Sequence, residues 1–213
     1  MRLINLLIKN IGFIFYFTVL LVLIISGIKP YDYFTWRLEV LWLFPALLVI
    51  AILWFKGIKF SWLLQLAMFI QVLVLIYGGH YTYEHVPLGE WMKDAFGFTR
   101  NHYDRIGHIA QGFFPAILYR ELFVRNNATN GRFWTDAFVF ASCMAFSGIF
   151  ELIEFAAAIT WGEGANAFLG AQGDVWDAQY DIFMCAIGTI LSMLFLSNLH
   201  YKILKKIKKQ ENN

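Results

Sequence analysis

The sequence predicts an all-α polytopic membrane protein with six transmembrane helices in a compact bundle. Two observations carry that fold class. Of 213 residues, 59% are hydrophobic and 15% charged, against about 45–50% and about 25% in soluble domains. The apolar residues also gather into runs of the length a membrane helix needs, about 20 residues. Aromatic residues make up 19% of the chain and there are only 4 prolines. Cys143 and Cys185 both fall inside apolar runs, so neither a structural disulfide nor a Cys-x-x-Cys metal or redox site is predicted.

The six spans fall at about 8–28, 38–55, 60–78, 103–123, 134–160 and 177–200, in one membrane domain covering 1–213. The first follows Arg2 and Lys9, as a signal peptide would. It is read as retained, because the run is long and ISGIKPYDYF offers no small-x-small cleavage site. The first three spans carry almost nothing ionisable, with Gln65 and Gln71 their main polar residues. Together the first three read as a scaffold. The fourth is the least apolar, since Asp104, Arg105, His108 and Gln111 lie in its first turns. The fifth holds Glu151 and Glu154, and the sixth is entered through GDVWDAQYDIF with Asp174, Asp177 and Asp181. The last three read as the working half. No repeat relates the two halves, which argues against an inverted-repeat transporter.

Basic residues set the orientation. Twelve of seventeen, from Arg2 and Lys9 to the tail lysines 202–209, fall on one side of the six spans; Lys29, Arg37, Lys93, Arg100 and Arg105 fall on the other. Both termini are therefore expected in the cytoplasm, with the basic tail 201–213 anchoring the topology or lying on an anionic leaflet. Ten of the fifteen acids lie on or near the outer side, Glu39, Glu84 and Glu163 among them. The outer loop 79–102 is amphipathic and reads as a lid or an interfacial segment. Its histidines, His80, His85 and His102, are expected to be solvated.

Helical phase, at about 100° per residue, asks whether the embedded polar residues are scattered or focused. With the sixth helix extended back to Asp174, a narrow stripe carries Asp174, Asp177 and Asp181 and continues through Cys185, Gly188 and Ser192. The fifth span carries Glu151, Glu154, Ser147, Cys143 and Ala158 together. The fourth aligns Asp104, Gly107, His108, Gln111 and Pro115. Small residues let membrane helices approach closely, and polar ones bond across the gap. The ionisable residues of all three stripes lie in one leaflet, so the simplest arrangement is an acidic pocket open to the outer face.

Six carboxylates in this region face only Arg105 and His108, and Arg105, about 100° off the stripe, is expected to point away. A carboxylate at the centre of a membrane helix costs about 2.5–3.5 kcal/mol even on the gentler scale. Either several acids stay protonated or a cation supplies the missing charge. The candidate metal ligands, or proton-sharing groups, are Asp104, His108, Glu151, Glu154, Asp177 and Asp181, and a divalent metal is the leading cofactor reading. Plainer readings stand beside this one. Glu151 and Glu154 could serve interhelical hydrogen bonds, Asp174 and Asp177 a helix N-terminus, and the cysteines packing. The run GEGANAFLGAQG matches no phosphate-loop spacing and reads as a turn.

YDRIGHIAQGFFPAI, FELIEF and GDVWDAQYDIFMCAIG together resemble the YjdF family of bacterial inner-membrane proteins. The resemblance implies an inner-membrane location and supplies no catalytic residues. A fainter one is to VanZ-like membrane proteins, whose Asp-Lys-x-x-His, Glu-x-x-Gln and Asp-x-x-x-Asn runs match Asp104, Arg105 and His108, then Glu151 and Glu154, then Asp177, Asp181 and Gly188. Glu154 and Asp181 depart from that pattern toward acid. Three function classes remain open: a metal-assisted enzyme acting on a lipid or envelope precursor, a proton- or cation-coupled transporter, and a noncatalytic protein binding a lipid headgroup or a membrane partner. The bilayer is the expected environment, and no nucleic-acid partner is expected.

Overall fold

A computed structural model describes residues 2–211. Among them the secondary structure is helical, in the order α1 (Arg2–Ser26), α2 (Tyr33–Val40), α3 (Leu43–Phe55), α4 (Trp62–His80), α5 (Pro87–Phe96), α6 (Tyr103–Phe113), α7 (Pro115–Arg125), α8 (Arg132–Trp161), α9 (Asn166–Leu169) and α10 (Asp177–Glu211). Four of these stretches are long and apolar enough to cross a membrane: Tyr33–Phe55, Trp62–His80, Arg132–Trp161 and Asp177–Gln210. Ile11–Ser26 is a shorter apolar helix.

Two of the anticipated spans are interrupted at a proline, although Tyr33–Phe55 still reads as one crossing stretch. Proline has no N–H to give the carbonyl four residues back, and its ring crowds that carbonyl. Pro45 sits just inside α3 and leaves the chain turned at Leu41 and Trp42, between α2 and α3. Pro115 opens α7 directly after α6, so the stretch read as one span over 103–123 is two helices joined at Phe114. At the other extreme α10 runs on through the basic tail to Glu211, with no separate surface segment. It also begins at Asp177, leaving Asp174 in the preceding turn rather than on the helix.

Local chemistry fixes the other ends. Asp32 caps α2 by accepting from the Thr35 N–H at 2.7 Å, and Ser61 caps α4 by accepting from the Leu64 N–H at 3.1 Å. Within the loop 79–102, Pro87 starts α5 and Gly97, at φ 68°, ends it in the left-handed conformation that glycine favours.

The scaffold packs α1 against α4, with α2 across the far end of α4. Val19, Leu23, Leu43, Leu47 and Ile76 form its buried core. In the other half α6 and α10 make the most extensive contact in the fold, flanked by α7 and α8. It is a backbone-to-backbone crossing. A methyl group on Gly112 would strike the Cys185 carbonyl, and one on Gly188 the Ile109 carbonyl. The apolar surface faces outward, as Phe17, Ile24, Leu48, Leu152, Phe155 and Phe195 show.

Loop contacts define two ends of the bundle. At the acidic end, the Tyr31 N–H donates to the His80 carbonyl and Asn101 pairs with Gln172. At the basic end, Arg125 donates to the Lys59 carbonyl, and Glu121 accepts from the Ser61 N–H and meets His200 Nε2 at 3.2 Å.

Candidate functional site

The close α6–α10 crossing brings the first turns of both helices together at the acidic end, and α8 lies against them. Three of the six candidate ligands converge there. His108 Nε2 lies 3.6 Å from Asp104 Oδ1 and 3.9 Å from Asp181 Oδ1, and one ligand atom from each residue fits within 4.8 Å of the other two. Glu151 reaches in from α8, its Oε1 3.9 Å from His108 Nε2. These separations exceed hydrogen-bond length. Neither His108 Nδ1 nor Glu151 Oε1 has a hydrogen-bond partner, though both atoms are buried.

Asp177 belongs to a second group. Its Oδ1 accepts from Arg100 at 2.8 Å and from Arg105 at 2.9 Å. Arg105 also donates to Asp174 at 2.9 Å, to Asp181 at 3.0 Å and to the Asp177 carbonyl at 3.1 Å, with its guanidinium 4.8 Å from the Tyr180 ring centre. Arg105 therefore does not point away. The helices cross so closely that the N-terminus of α10 spans a wide sector of α6, and a long side chain off the stripe still folds into it. Glu154 lies one turn nearer the acidic end of α8 than Glu151; the charges that act on it are Glu151, Asp104, Glu39 and Asp181.

The acids are largely covered. Side-chain exposure is 2% for Asp181, 11% for Asp177 and 12% for Asp104, rising to 25% only at Asp174. Where the sequence reads as an open pocket, Arg100 and Arg105 fill the space over the acids. Asp174 is no helix cap: its Oδ1 accepts from the Trp176 N–H in a local turn while its Oδ2 meets both arginines.

Several participants escape sequence reasoning. Arg100 lies in the loop and counts there only toward topology. It is 9% exposed and also donates to the Gly170 carbonyl at 3.1 Å. Gly170, at φ 65°, sits against the Asp104 carboxylate, so the Gly-rich run is part of the site's wall and more than a turn. Asn101 locks this wall: its N–H donates to Gln172, its carbonyl accepts from the Gln172 amide, and its own amide donates to Val86 and Glu90. Glu39 of α2 is 5% exposed, and the Asp104 charge acts on it. No helical stripe identifies these residues, because they belong to loops or to the scaffold.

The loop histidines are not simply solvated. His80 Nδ1 contacts the Ser26 carbonyl at 2.7 Å, and His85 packs on Tyr31. Burial, reinforced by Arg100 and Arg105, holds His102 below its ordinary pKa. Glu84, in the same loop, is raised by burial against the opposing pull of His85 and Arg100. Cys143 and Cys185 are free, buried packing residues whose thiols face backbone carbonyls.

Helices long and apolar enough to cross a bilayer and an outward apolar surface define a multi-pass α-helical membrane protein. The chain belongs to the family described as Predicted membrane protein (DUF2238), whose model matches residues 11–202. It is similar to the inner membrane protein YjdF of Escherichia coli (strain K12), with 37% identity over 191 residues, covering 89% of this chain and 90% of the relative. No solved structure matches.

Proposed function

We propose that this is a six-span inner-membrane protein, with both termini cytoplasmic, that binds a divalent metal at Asp104, His108 and Asp181 and acts on a lipid or envelope precursor at the outer leaflet. The observation that carries the reading is the set of three carboxylate oxygens around one imidazole nitrogen at 3.6 to 3.9 Å, unbridged by any hydrogen bond. Ligands of a tetrahedral ion at about 2.1 Å stand about 3.4 Å apart, so a few tenths of an ångström of adjustment at the imidazole, and a closure of the two carboxylate oxygens from within 4.8 Å of each other, would seat one. One imidazole with carboxylates suits zinc or manganese.

Charge supports the same reading. Asp104, Glu151, Glu154, Asp174, Asp177 and Asp181 are met by two arginines, and both arginines are engaged by Asp174 and Asp177. A bound divalent metal would supply Lewis acidity and an acidified water. Around it the protein's own groups take distinct roles. Arg105 holds Asp181 in place, Gly170 leaves room beside Asp104, and Glu151, with a free oxygen, is the candidate to accept a proton. Asp174, the most exposed of these acids, marks the side from which a headgroup would approach.

The alternative of transport through this half of the molecule is disfavoured by the α6–α10 crossing, where Gly112 and Gly188 bring the backbones into contact just below the acids. Six crossings agree with the loop contacts, which alternate between the two ends along the chain.

Elemental analysis of the full chain purified in detergent tests the metal. We expect about one equivalent of zinc or manganese, lost in His108→Ala and in Asp181→Asn while both variants remain monodisperse. Metal-free protein whose melting is indifferent to chelator would sink the proposal and leave the noncatalytic reading.

A further inference from the structure

The scaffold carries a feature that the acidic site does not use: a groove on the face of α4 between α1 and α6. Its floor follows from spacing. Ile70, Leu73, Val74, Tyr77, His80 and Tyr81 recur at three- and four-residue intervals, so they share one face of α4 and the turn after it. Both α1 and α6 pack on α4 but hardly touch each other, which leaves that face uncovered between them. Val22 and Ile25 of α1 form one bank and Tyr103 of α6 the other, around a volume of about 500 Å³.

Tyrosines keep the gap from closing. Tyr103 is buried and donates to the Val74 carbonyl at 3.1 Å, and its ring meets Tyr77 edge-on with centres 5.7 Å apart. Tyr77 meets Tyr81 in the same way at 5.2 Å. A ring fixed at its hydroxyl cannot swing across the gap as a leucine could, so the close packing of a protein interior is not reached here. Ile25 and Tyr77 are exposed at the rim, and the groove opens sideways onto the apolar surface of the bundle.

The lining changes character along its length. Ile70, Leu73 and Val22 are hydrocarbon, whereas Ser26, Tyr77, His80 and Tyr81 make the acidic end of the groove polar. His80 is held there by the 2.7 Å contact of Nδ1 with the Ser26 carbonyl, which leaves Nε2 without a partner among the described residues. The rise from Ile70 to Tyr81 is about 16 Å at 1.5 Å per residue, close to half of the ~30 Å hydrocarbon thickness of a bilayer. An apolar slot one leaflet deep, with hydrogen-bonding groups at one end, complements an acyl chain that ends in an ester. The groove also continues toward the acids: Tyr103, its bank, immediately precedes Asp104 in the first turn of α6.

We propose that this groove binds an acyl chain of a bilayer lipid, with the ester region at Tyr77, His80 and Tyr81 and the headgroup at the acidic end of the bundle. The inference rests on the reading of that end as a site acting on lipid, and it narrows the substrate to a lipid that carries an acyl chain.

The test reconstitutes the full chain in phosphatidylcholine vesicles holding a trace of phosphatidylcholine with a diazirine in one acyl chain. After irradiation the labelled residues are mapped by mass spectrometry. Label should concentrate on Ile25 and Tyr77, several-fold above Leu48 and Leu152, which are equally exposed on the apolar surface away from the groove. Leu73→Trp, which fills the groove, should lower the label at Ile25 and Tyr77 at least about tenfold, equivalent to about 1.4 kcal/mol or roughly two buried methylenes. The label at Leu152 should not change. If Leu73→Trp does not fold, Ile25→Trp at the rim decides in its place, read at Tyr77. Label spread evenly over the apolar surface overturns the proposal, as does groove labelling that the filling variant leaves unchanged. An unlabelled groove in a protein of doubled mass overturns it too, by assigning the groove to a second copy of the chain. The labelling needs no metal and should survive chelator. Metal-free protein would therefore sink the metal site and leave the groove labelled, while even labelling would sink the groove and leave the metal content as it was.

Discussion

Arg105 carries more of the acidic end than any other residue. Four hydrogen bonds run from its terminal nitrogens to Asp174, Asp177 and Asp181. Removing one partner of a buried ion pair costs about 3–5 kcal/mol, because the other charge is left unpaired. Arg105→Met should therefore lower the unfolding midpoint in detergent sharply. Arg105→Lys keeps the charge but lacks the planar fork that reaches three acids, so its loss should be smaller, roughly 1.5–3 kcal/mol. Equal melting of all three proteins would show that the arginine is incidental. The acids and His108 were legible in the sequence because i, i+3 and i, i+4 spacings repeat along helices. Arg105 was misjudged because phase locates a Cα, while a long side chain swings well beyond its own sector. Arg100 and Glu39 were missed because a loop has no phase, and one acid at a helix start looks solvated until a crossing helix covers it.

At the scale of elements, the α6–α10 crossing positions every ligand candidate except those on α8. The small residues that permit it, Gly112 and Gly188, face the partner backbone rather than a movable side chain. Gly112→Ala and Gly188→Ala should each force the helices apart and cost about 1–3 kcal/mol or more, the usual range for overpacking. Gly148, in α8, has open space around its missing side chain. Gly148→Ala should be neutral or stabilising, by up to about 1 kcal/mol. Thermal melting of the three variants checks this, and similar effects at all three glycines would contradict the packing. The small-residue stripe of the sixth span announced a close contact, and the contact exists. The breaks before Pro45 and after Phe114 went unread because apolar composition continues across them; only the missing proline N–H marks them.

Over the whole molecule, the asymmetry of charge follows the architecture. Arg125, Glu121, His200 and the lysines of α10 gather at one end, and the acids with Arg100 and Arg105 at the other. Basic loops are retained in the cytoplasm, so the acidic end should face outward and carry its site to the outer leaflet. Single cysteines report this directly, because the two native thiols are buried and should not react. Asp94, in α5, and Asn130, between α7 and α8, are both exposed and sit at opposite ends. In intact bacterial cells Asp94→Cys should react with a membrane-impermeant maleimide, and Asn130→Cys only after the cells are opened. The reverse pattern would invert the orientation and put the metal chemistry in the cytoplasm. Labelling of both from outside would instead contradict a bilayer between the two ends, and with it six crossings. The expected pattern leaves one consistent arrangement: a basic end held in the cytoplasm, a close-packed helix crossing in the membrane, and buried acids gathered just inside the outer surface.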